Sequence, residues 1–356
     1  MSAAPAPVAT TAAELSPHWL SEALGGRVDT VVAEPVGTGQ MGTCFRLRLA
    51  GPDVGARLPG VLLAKLPAAD PAARAMVAGA YRCELRFYAE IAPTVAARVP
   101  QVHHAAWSGD GADFTLLLED LAPRVQGDQL AGCSPAQAHD AVVNLAGLHG
   151  PRWCDPTLLA IEGLDRSGPE DAAFLAELYG PATEIFLAGL GDLVDPTDAA
   201  TLEACVPLCE RWVLARGERF GLVHGDYRLD NLMFAPDGAA GCVALDWQTL
   251  SLALPARDLA YFLGTGLTVA DRRTHERDLV AAWHAALVGH GVGGYTGREA
   301  WEDYRFAMLQ GPLVSVFGCA YGTRTERGDR MFAAMVARSC AAIRDLGVLS
   351  LVAGDC

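Results

Sequence analysis

The chain has 356 residues, 51% of them apolar, and a formal net charge of −15. This length is too great for one small core, so we expect two lobes. The sequence has no basic stripe and no apolar run long enough to span a bilayer, which argues against nucleic-acid and membrane partners. Its beginning lacks the pattern of a secretion signal, so residues 1–10 are predicted to be a disordered lead-in to a cytoplasmic protein.

The first part of the chain is predicted to be a helix followed by a set of strands. Leu15, Trp19 and Leu20 share one face of a predicted helix over residues 11–25. Alternating apolar residues bounded by turn residues then predict strands, and a long helical pattern follows the third of them. The predicted strands cover residues 28–36, 44–49, 61–67, 101–107 and 114–118, and the helix covers residues 71–91.

A glycine-rich turn joins the first two predicted strands. Gly37, Gly39 and Gly42 form the pattern G-x-G-x-x-G. A dinucleotide-binding turn would have to open a helix, whereas residues 44–49 alternate at the period of a strand. A glycine-rich turn between two strands favours a loop whose backbone folds over nucleotide phosphates. A plain glycine-rich hairpin is the alternative.

Lys65 is the only lysine among the 27 basic residues of the chain. It lies near the end of an apolar predicted strand. Its compact ammonium group differs from the planar guanidinium group of the arginines, which are the other basic residues. Glu84 on the following helix is the predicted partner of Lys65, and Glu90 is the alternative. A surface lysine without a role is the simpler interpretation.

The rest of the chain is predicted to be mostly helical. The region from residue 153 to 196 looks like a variable insertion, and no catalytic or binding role is predicted for it. Cys205 and Cys209 lie one helical turn apart without a second pair, which indicates free thiols rather than a zinc site. The predicted helices cover residues 135–149, 198–216, 271–290, 298–321 and 327–346.

Two carboxylates and one amide follow short apolar stretches between residues 222 and 250. His224-Gly225-Asp226 comes first, Asn231 follows five residues after Asp226, and Asp246 ends a second strand beyond a turn. Asn and Asp offer the oxygen ligands that Mg²⁺ prefers, and a further Asp can accept a proton from a hydroxyl. Ordinary turn residues on an α/β scaffold are the alternative interpretation.

This segment resembles the loop His-Gly-Asp-x-x-x-x-Asn of the aminoglycoside phosphotransferase and choline kinase-like family. The stretch ELRFYAEIAP, which begins at Glu84, resembles the matching helix of its ecdysteroid-kinase-like branch. The resemblance implies an α+β, two-lobed protein-kinase-like fold. Residues 1–122 would form a nucleotide-binding lobe with an antiparallel sheet and a helix, and residues 123–356 a larger, mostly helical catalytic and substrate-binding lobe.

The resemblance also implies roles for individual residues toward ATP and Mg²⁺. Lys65, fixed by Glu84, would hold the α/β-phosphates, and the backbone at Glu119 and Leu121 would meet the adenine edge. The glycines would cover the phosphates, and Mg²⁺ would be coordinated by two side chains. These residues are Gly37, Gly39, Gly42, Asn231 and Asp246.

The catalytic loop contains one departure from the family pattern. By resemblance, Asp226 accepts the proton of the acceptor hydroxyl, while His224 and Asp258 brace the loop. Aminoglycoside kinases carry a small or neutral residue two positions after the catalytic Asp, whereas this chain has Arg228. We hypothesise that Arg228 stabilises the transferring phosphate, and pairing with Asp230 is the alternative.

The predicted function is transfer of the γ-phosphoryl group of ATP to a hydroxyl of a small molecule. Residues 297–356 contain seven acids and seven arginines, which gives no anionic trap for a polycationic antibiotic. A hydroxylated, fairly apolar or anionic metabolite is therefore the predicted acceptor, with residues 323–330 as its anion contact. An aminoglycoside 3'-type antibiotic kinase is one alternative, and a regulatory nucleotide-binding pseudokinase is another. The sequence predicts no oligomeric state.

Overall fold

The computed structural model describes residues 8–37, 42–236 and 238–354. The described residues form two compact units. The first unit is drawn from Met1–Pro93, Val99–Ala122 and Asp246–Thr249. The second is drawn from Thr94–Arg98, Pro123–Leu245 and Leu250–Cys356.

The first unit is built on a five-stranded antiparallel sheet with the order β1-β2-β3-β5-β4. Side chains alternate along β3, so that Leu62, Ala64 and Leu66 enter a hydrophobic core on one face. Lys65 therefore lies on the opposite face of the sheet. The strands are β1 (Thr30–Pro35), β2 (Gly42–Ala50), β3 (Val61–Pro67), β4 (Val102–Trp107) and β5 (Phe114–Glu119).

The glycine-rich turn lies between two antiparallel strands, and Gly39 lies outside the described residues. β1 and β2 pair up to Pro35 and Phe45, and Gly42 begins a strand rather than a helix, so the dinucleotide-binding alternative is wrong. Gly37 has a φ of 73°. At Gly42 a Cβ atom would lie 2.8 Å from the carbonyl oxygen of Leu66, so the close approach of β3 requires glycine there.

Two helices complete the first unit. α1 (Pro17–Leu24) follows a 3-10 turn at Ala12–Glu14, so the helix predicted over residues 11–25 is in fact broken. Ser16 caps α1 by accepting a hydrogen bond from the backbone of Trp19, which starts a new helix at that point. α2 (Pro71–Arg86) continues into a π-helical turn over Phe87–Ile91.

Of residues 1–10, which were predicted to be disordered, residues 1–7 lie outside the described residues, and for Val8–Thr10 the prediction is wrong. Ala9 is fully buried in the core of the first unit. Its N–H donates to Oγ1 of Thr115, and the Thr115 hydroxyl donates to the carbonyl of Ala9, both at 2.6 Å. A small residue with both backbone groups satisfied can be buried, and composition alone did not reveal this.

The second unit is mostly helical and contains two small antiparallel sheets. One sheet pairs β7 (Gly221–Val223) with β10 (Ser251–Ala253). The other has the order β6-β8-β9, formed by β6 (Val125–Gln126), β8 (Leu232–Phe234) and β9 (Cys242–Ala244). The short hairpin of β8 and β9 matches the two strands predicted around the turn at residues 236–238.

Ten α-helices are described in the second unit. α7 lies in its centre, because every residue from Asp258 to Gly266 is buried. Within the described part of the chain, none of the helices is both long and apolar enough to cross a bilayer. The helices are α3 (Pro135–His149), α4 (Pro169–Leu190), α5 (Pro196–Cys205), α6 (Cys209–Leu214), α7 (Ala256–Gly266), α8 (Val269–Gly289), α9 (Gly297–Phe306), α10 (Gln310–Tyr321), α11 (Glu326–Asp345) and α12 (Val348–Ala353).

Two helices predicted for this unit are divided in the structure, and a third helix was not predicted. The helix predicted over residues 298–321 is divided by a 3-10 turn at Ala307–Leu309. The region from residue 153 to 196 contains α4, which buries Tyr179 and Phe186 and packs against α10 and α6. Pro181 inside α4 concealed its helical pattern. The helix predicted over residues 198–216 is divided by a 3-10 turn at Val206–Leu208, which contains a proline. Cys205 and Cys209 are buried free thiols, as predicted.

Candidate active site

In the first unit, Lys65 forms an ion pair with Glu84. Nζ of Lys65 lies 2.6 Å from Oε2 of Glu84, and their side chains are 15% and 3% exposed. The predicted pair is therefore present, whereas Glu90 lies 3.7 Å from Arg86. Burial disfavours the ammonium, but the carboxylates of Glu84 and Asp246 outweigh it and raise the pKa of Lys65 above its usual range.

Asp246 completes this charged cluster. Its Oδ1 lies 3.7 Å from Nζ of Lys65, is buried and has no hydrogen-bond partner among the described residues. Asp246 also has a φ of 63°, in the left-handed region that non-glycine residues seldom adopt. The next residue, Trp247, stacks on Phe87 with ring centroids 3.6 Å apart, which holds the segment in place. A buried acceptor without a donor in a strained backbone is typical of a ligand site.

The segment after β5 is fixed to the sheet by Asp120, which the sequence did not single out. Arg46 on β2 donates from Nε and Nη2 to the two carboxylate oxygens of Asp120, at 2.8 and 3.2 Å. The backbone N–H of Glu119 donates to Gln101, whereas that of Leu121 has no acceptor among the described residues. This pattern leaves the Leu121 N–H available to a ligand.

In the second unit, the predicted loop is held by the buried carboxylate of Asp258. The backbone N–H groups of His224 and Gly225 donate to its two oxygens, at 2.6 and 2.9 Å. The imidazole of His224 lies 2.9 Å from the carbonyl of Leu245 and accepts from the N–H of Asp226. Both residues brace the loop, as the resemblance implied.

Behind Asp258 lies a buried pair that the sequence did not reveal. Trp283 donates its indole N–H to Nδ1 of His149 at 3.2 Å, and Nε2 of His149 lies 3.3 Å from Asp258. An indole can only donate, so Nδ1 accepts and Nε2 carries the hydrogen that faces Asp258. Asp258 thus receives a third donor and is fully satisfied inside the unit.

The carboxylate of Asp226 accepts three side-chain hydrogen bonds. Tyr261 donates to Oδ1 at 2.8 Å, while Arg228 and Asn231 donate to Oδ2 at 3.0 and 2.9 Å. Two donors occupy Oδ2, and one of the two lone-pair positions on Oδ1 is taken by Tyr261. The second position on Oδ1 is left for a hydroxyl donor. Tyr261 was missed in the sequence, although it lies one helical turn after Asp258.

Arg228 lies between two carboxylates of the same loop. Its Nε donates to Asp226, and its Nη1 donates to Asp230 at 3.1 Å. The pairing with Asp230 that the sequence left as an alternative is therefore present, together with one to Asp226. Burial opposes its charge, but these acids raise the pKa of Arg228 above its usual range. Arg327 on α11 also reaches Asp230, at 3.2 Å.

Asp246 and Asn231 each carry a side-chain oxygen of the kind that Mg²⁺ binds. Among the described residues, no three His, Cys, Asp or Glu side chains are grouped to hold a metal. Mg²⁺ is usually held by one or two protein oxygens together with substrate phosphates and water. Asp246 offers its unpartnered Oδ1. Asn231 uses its Nδ2 on Asp226, which leaves its side-chain oxygen as a ligand.

Comparison with known proteins identifies the enzyme family of this chain. The model of the APH phosphotransferase enzyme family matches residues 51–304, which is more than half of the chain. The chain belongs to this phosphotransferase enzyme family. The match includes the first-unit ion pair and the loop from His224 to Asn231.

Solved structures share the fold at low sequence identity. A candidate aminoglycoside phosphotransferase from Ralstonia eutropha has a TM-score of 0.56 and 17% identity, and the alignment covers 91% of this chain and 96% of that one. Aminoglycoside 2'-phosphotransferase-IIIa with GDP has a TM-score of 0.52 and 14% identity over 88% and 93%. Ethanolamine kinase from Plasmodium vivax has a TM-score of 0.51 and 12% identity over 90% and 86%. The predicted protein-kinase-like α+β fold is confirmed, and the ecdysteroid-kinase-like branch stays a prediction.

Curated relatives match short segments only. Acyl-CoA dehydrogenase family member 10 of Mus musculus is 45% identical over 62 residues, which are 16% of this chain and 6% of that protein. Acyl-CoA dehydrogenase family member 11 of Homo sapiens is 44% identical over 41 residues, 12% of this chain and 5% of that protein. The chain thus covers a small part of the length of these relatives.

Proposed function

We propose that the protein is an ATP-dependent kinase that phosphorylates a hydroxyl group of a small molecule. Membership of the phosphotransferase family supports the reaction type. The observation that carries the proposal is the cluster of the only lysine, its Glu84 partner and the unsatisfied oxygen of Asp246. One buried ammonium beside one free carboxylate oxygen suits a triphosphate with its counter-ion.

The first unit would bind the nucleotide. Lys65, kept charged and oriented by Glu84, holds the α/β-phosphates. The free N–H of Leu121 and the carbonyl of Glu119 meet the adenine edge, on a segment that Asp120 fixes to the sheet. The glycine-rich turn, with Gly37, Gly39 and Gly42, covers the phosphates.

Asp226 would position the acceptor hydroxyl and accept its proton. The free lone-pair position on Oδ1 is the place where this hydroxyl donates. Tyr261, Arg228 and Asn231 hold the carboxylate, so that it need not reorient during the reaction. His224 supports the loop through Leu245.

Arg228 would act on Asp226 and on the transferring phosphate. Nη2 is its remaining donor, since Nε and Nη1 bind Asp226 and Asp230. A fixed guanidinium whose Nη2 amino group is free can stabilise phosphate charge without moving. Asn231 and Asp246 would hold Mg²⁺, which supplies charge neutralisation of the phosphates when it is bound.

The acceptor is proposed to be a hydroxylated, fairly apolar or anionic metabolite rather than an aminoglycoside. Four of the seven acids between residues 297 and 356 form ion pairs with arginine, which argues against a carboxylate cluster for a polycation in this segment. These acids are Glu302, Asp303, Asp329 and Asp345. Arg327 lies beside the catalytic loop through Asp230, which supports an anionic group on the acceptor.

ATP consumption across a hydroxyl library tests this function. The library contains amino sugars, choline-like alcohols, sterols and hydroxyacyl-CoA esters, and mass spectrometry identifies any phosphorylated product. We expect product from one anionic or apolar class, loss of product in Asp226→Asn, and unchanged nucleotide binding in that variant. Tight nucleotide binding without product from any class would overturn the kinase assignment in favour of a pseudokinase. Product from amino sugars alone would overturn the acceptor assignment.

A further inference from the structure

An open recess in the second unit has no role in the proposed reaction. It offers about 380 Å³ of space, which includes open solvent at its mouth. It is lined by residues of the segment 213–220, which precedes β7, by residues of β10 and the start of α7, and by Arg166 and Ser167. The recess lies at the start of β7, whereas His224 and the catalytic loop follow the end of that strand.

The described residues that line the recess include four arginines and no acid. The arginines are Arg166, Arg216, Arg219 and Arg257. Apolar side chains, among them Phe220 and Leu252, form much of the remaining wall. Four guanidinium groups in one small recess are unexpected in a chain whose net charge is −15.

Two of these arginines already have acidic partners. Arg216 and Arg219 share the buried carboxylate of Asp303, and Arg219 also lies 2.8 Å from Glu218. Tyr295 donates to the same carboxylate of Asp303 at 3.0 Å. The charges of Arg216 and Arg219 are therefore balanced within the unit, and these side chains mainly form part of the wall of the recess.

The other two arginines have no carboxylate partner among the described residues. Arg166 lies over the ring of Phe220, with its Cζ 5.1 Å from the ring centroid. Arg257 lies over Trp212 at 4.1 Å and donates from Nη2 to the carbonyl of Val213 at 3.0 Å. Its Nε is buried and has no hydrogen-bond partner among the described residues. Burial lowers the pKa of Arg257 to about 10, and the nearby carboxylate of Asp258 offsets this only in part.

We propose that this recess is a binding site for a small phosphate monoester, separate from the candidate active site. Two guanidinium groups without an ion-pair partner match the two negative charges that a phosphate monoester carries near neutral pH. A carboxylate would pair with only one of them. The apolar wall accommodates a small organic group. The assignment holds whether or not the chain is a kinase.

Calorimetric titration of the full chain with phenyl phosphate, inorganic phosphate and benzoate tests the site. Phenyl phosphate is expected to bind most tightly, because it combines the dianion with an apolar ring. Benzoate has the ring and one charge, and inorganic phosphate has the dianion without the ring. Absence of phenyl phosphate binding, or equal affinity for benzoate, would overturn the proposal.

Variants locate the bound anion. Arg257→Gln should weaken phenyl phosphate binding about tenfold, and Ser167→Asp, which adds a carboxylate to the wall, should weaken it by at least about tenfold. Ser167 is exposed, so the second variant remains informative if the first does not fold. Arg298→Gln removes an exposed charge elsewhere in the unit and should have no effect. Lys65→Met tests for binding at the candidate nucleotide site. Affinity that falls in Lys65→Met but not in Ser167→Asp would place the anion there and overturn the assignment.

Discussion

Tyr261 donates its phenolic hydrogen to Oδ1 of Asp226 at 2.8 Å, and Asp258, one helical turn earlier on α7, holds the backbone of the same loop. Two side chains of one buried helix therefore position the loop from His224 to Asn231. α7 is rigidly packed, so it fixes both the path of the loop and the orientation of its carboxylate. The sequence of the loop alone does not determine this geometry.

Tyr261→Phe is expected to lower kcat about tenfold while the KM for ATP stays unchanged. The change removes one hydrogen bond to a charged group, worth about 1.5 kcal/mol, and preserves the packing of the ring. Steady-state kinetics measure both parameters.

Tyr304→Phe is the matched control for this variant. Tyr304 is equally buried and donates to Glu276 at 2.8 Å, away from the loop. Loss of the Tyr304 hydroxyl should reduce stability to a similar extent without lowering kcat. A loss of kcat of the same size in both variants would assign Tyr261 a purely structural role.

Asp258→Asn is expected to destabilise the protein by about 2–3 kcal/mol. Asp258 accepts from His224, Gly225 and His149, and an asparagine would direct its own N–H group toward one of these donors. Urea unfolding measures the change. Asp195→Asn is the control, because Asp195 caps α5 on the surface and asparagine caps equally well. Equal stability of the two variants would contradict the anchoring role.

Arg228→Ala is expected to lower kcat between about tenfold and a hundredfold, because Asp226 loses a charged donor and the phosphate loses a cation. Asp230→Asn separates the two contacts, since it removes only the partner on Nη1. That variant should retain most of the activity. If Arg228→Ala turned over at the wild-type rate, Arg228 would be only the ion-pair partner of Asp230.

Local patterns predicted the parts of the site that are close in sequence or lie on regular elements. Lys65 and Glu84 could be matched because a strand and the next helix carry them at recognisable positions. Asp226 and Asn231 belong to one short loop. Asp258 followed from the resemblance to known kinases. For these residues the structure supplied distances and partners, and their roles toward nucleotide and acceptor remain proposals.

Contacts between distant segments could not be predicted. Tyr261 is 35 residues from Asp226, and only its spacing from Asp258 gave a signal. The bond from Trp283 to His149 joins two helices 134 residues apart, without any pattern in either. Pro181 concealed α4 because a proline normally ends a helix, and packing against α10 overrides that preference here.

Asp246→Asn is expected to raise the Mg²⁺ concentration that half-maximal ATP consumption requires by about tenfold. Asparagine tolerates the left-handed backbone at this position, so the fold should survive while a charged ligand is lost. The Mg²⁺-dependent rise in melting temperature with bound nucleotide provides a second readout. Nucleotide binding without metal should not weaken, because a negative charge near the phosphates is removed. An unchanged Mg²⁺ requirement would exclude Asp246 as a ligand.

Modification of Lys65 reports the charge balance of its cluster, because no other lysine reacts. Only the neutral amine reacts, and a pKa raised above the usual value keeps Lys65 charged, so labelling should be slow at pH 8–9. The stability of the pair is present below the ordinary lysine pKa of about 10.4 and is lost as pH rises through the raised value. Glu84→Gln removes the main charge that counters burial, so the pKa should fall and labelling should accelerate.

Glu90→Gln is the matched control for this labelling experiment, because Glu90 lies on the adjoining π-helical turn and faces Arg86 instead of Lys65. It should leave the labelling rate unchanged. Mass spectrometry of the labelled peptide over time measures the rate in each variant, and ATP should slow labelling wherever it binds. Acceleration by Glu90→Gln, or none by Glu84→Gln, would show that Glu84 does not control the charge of Lys65.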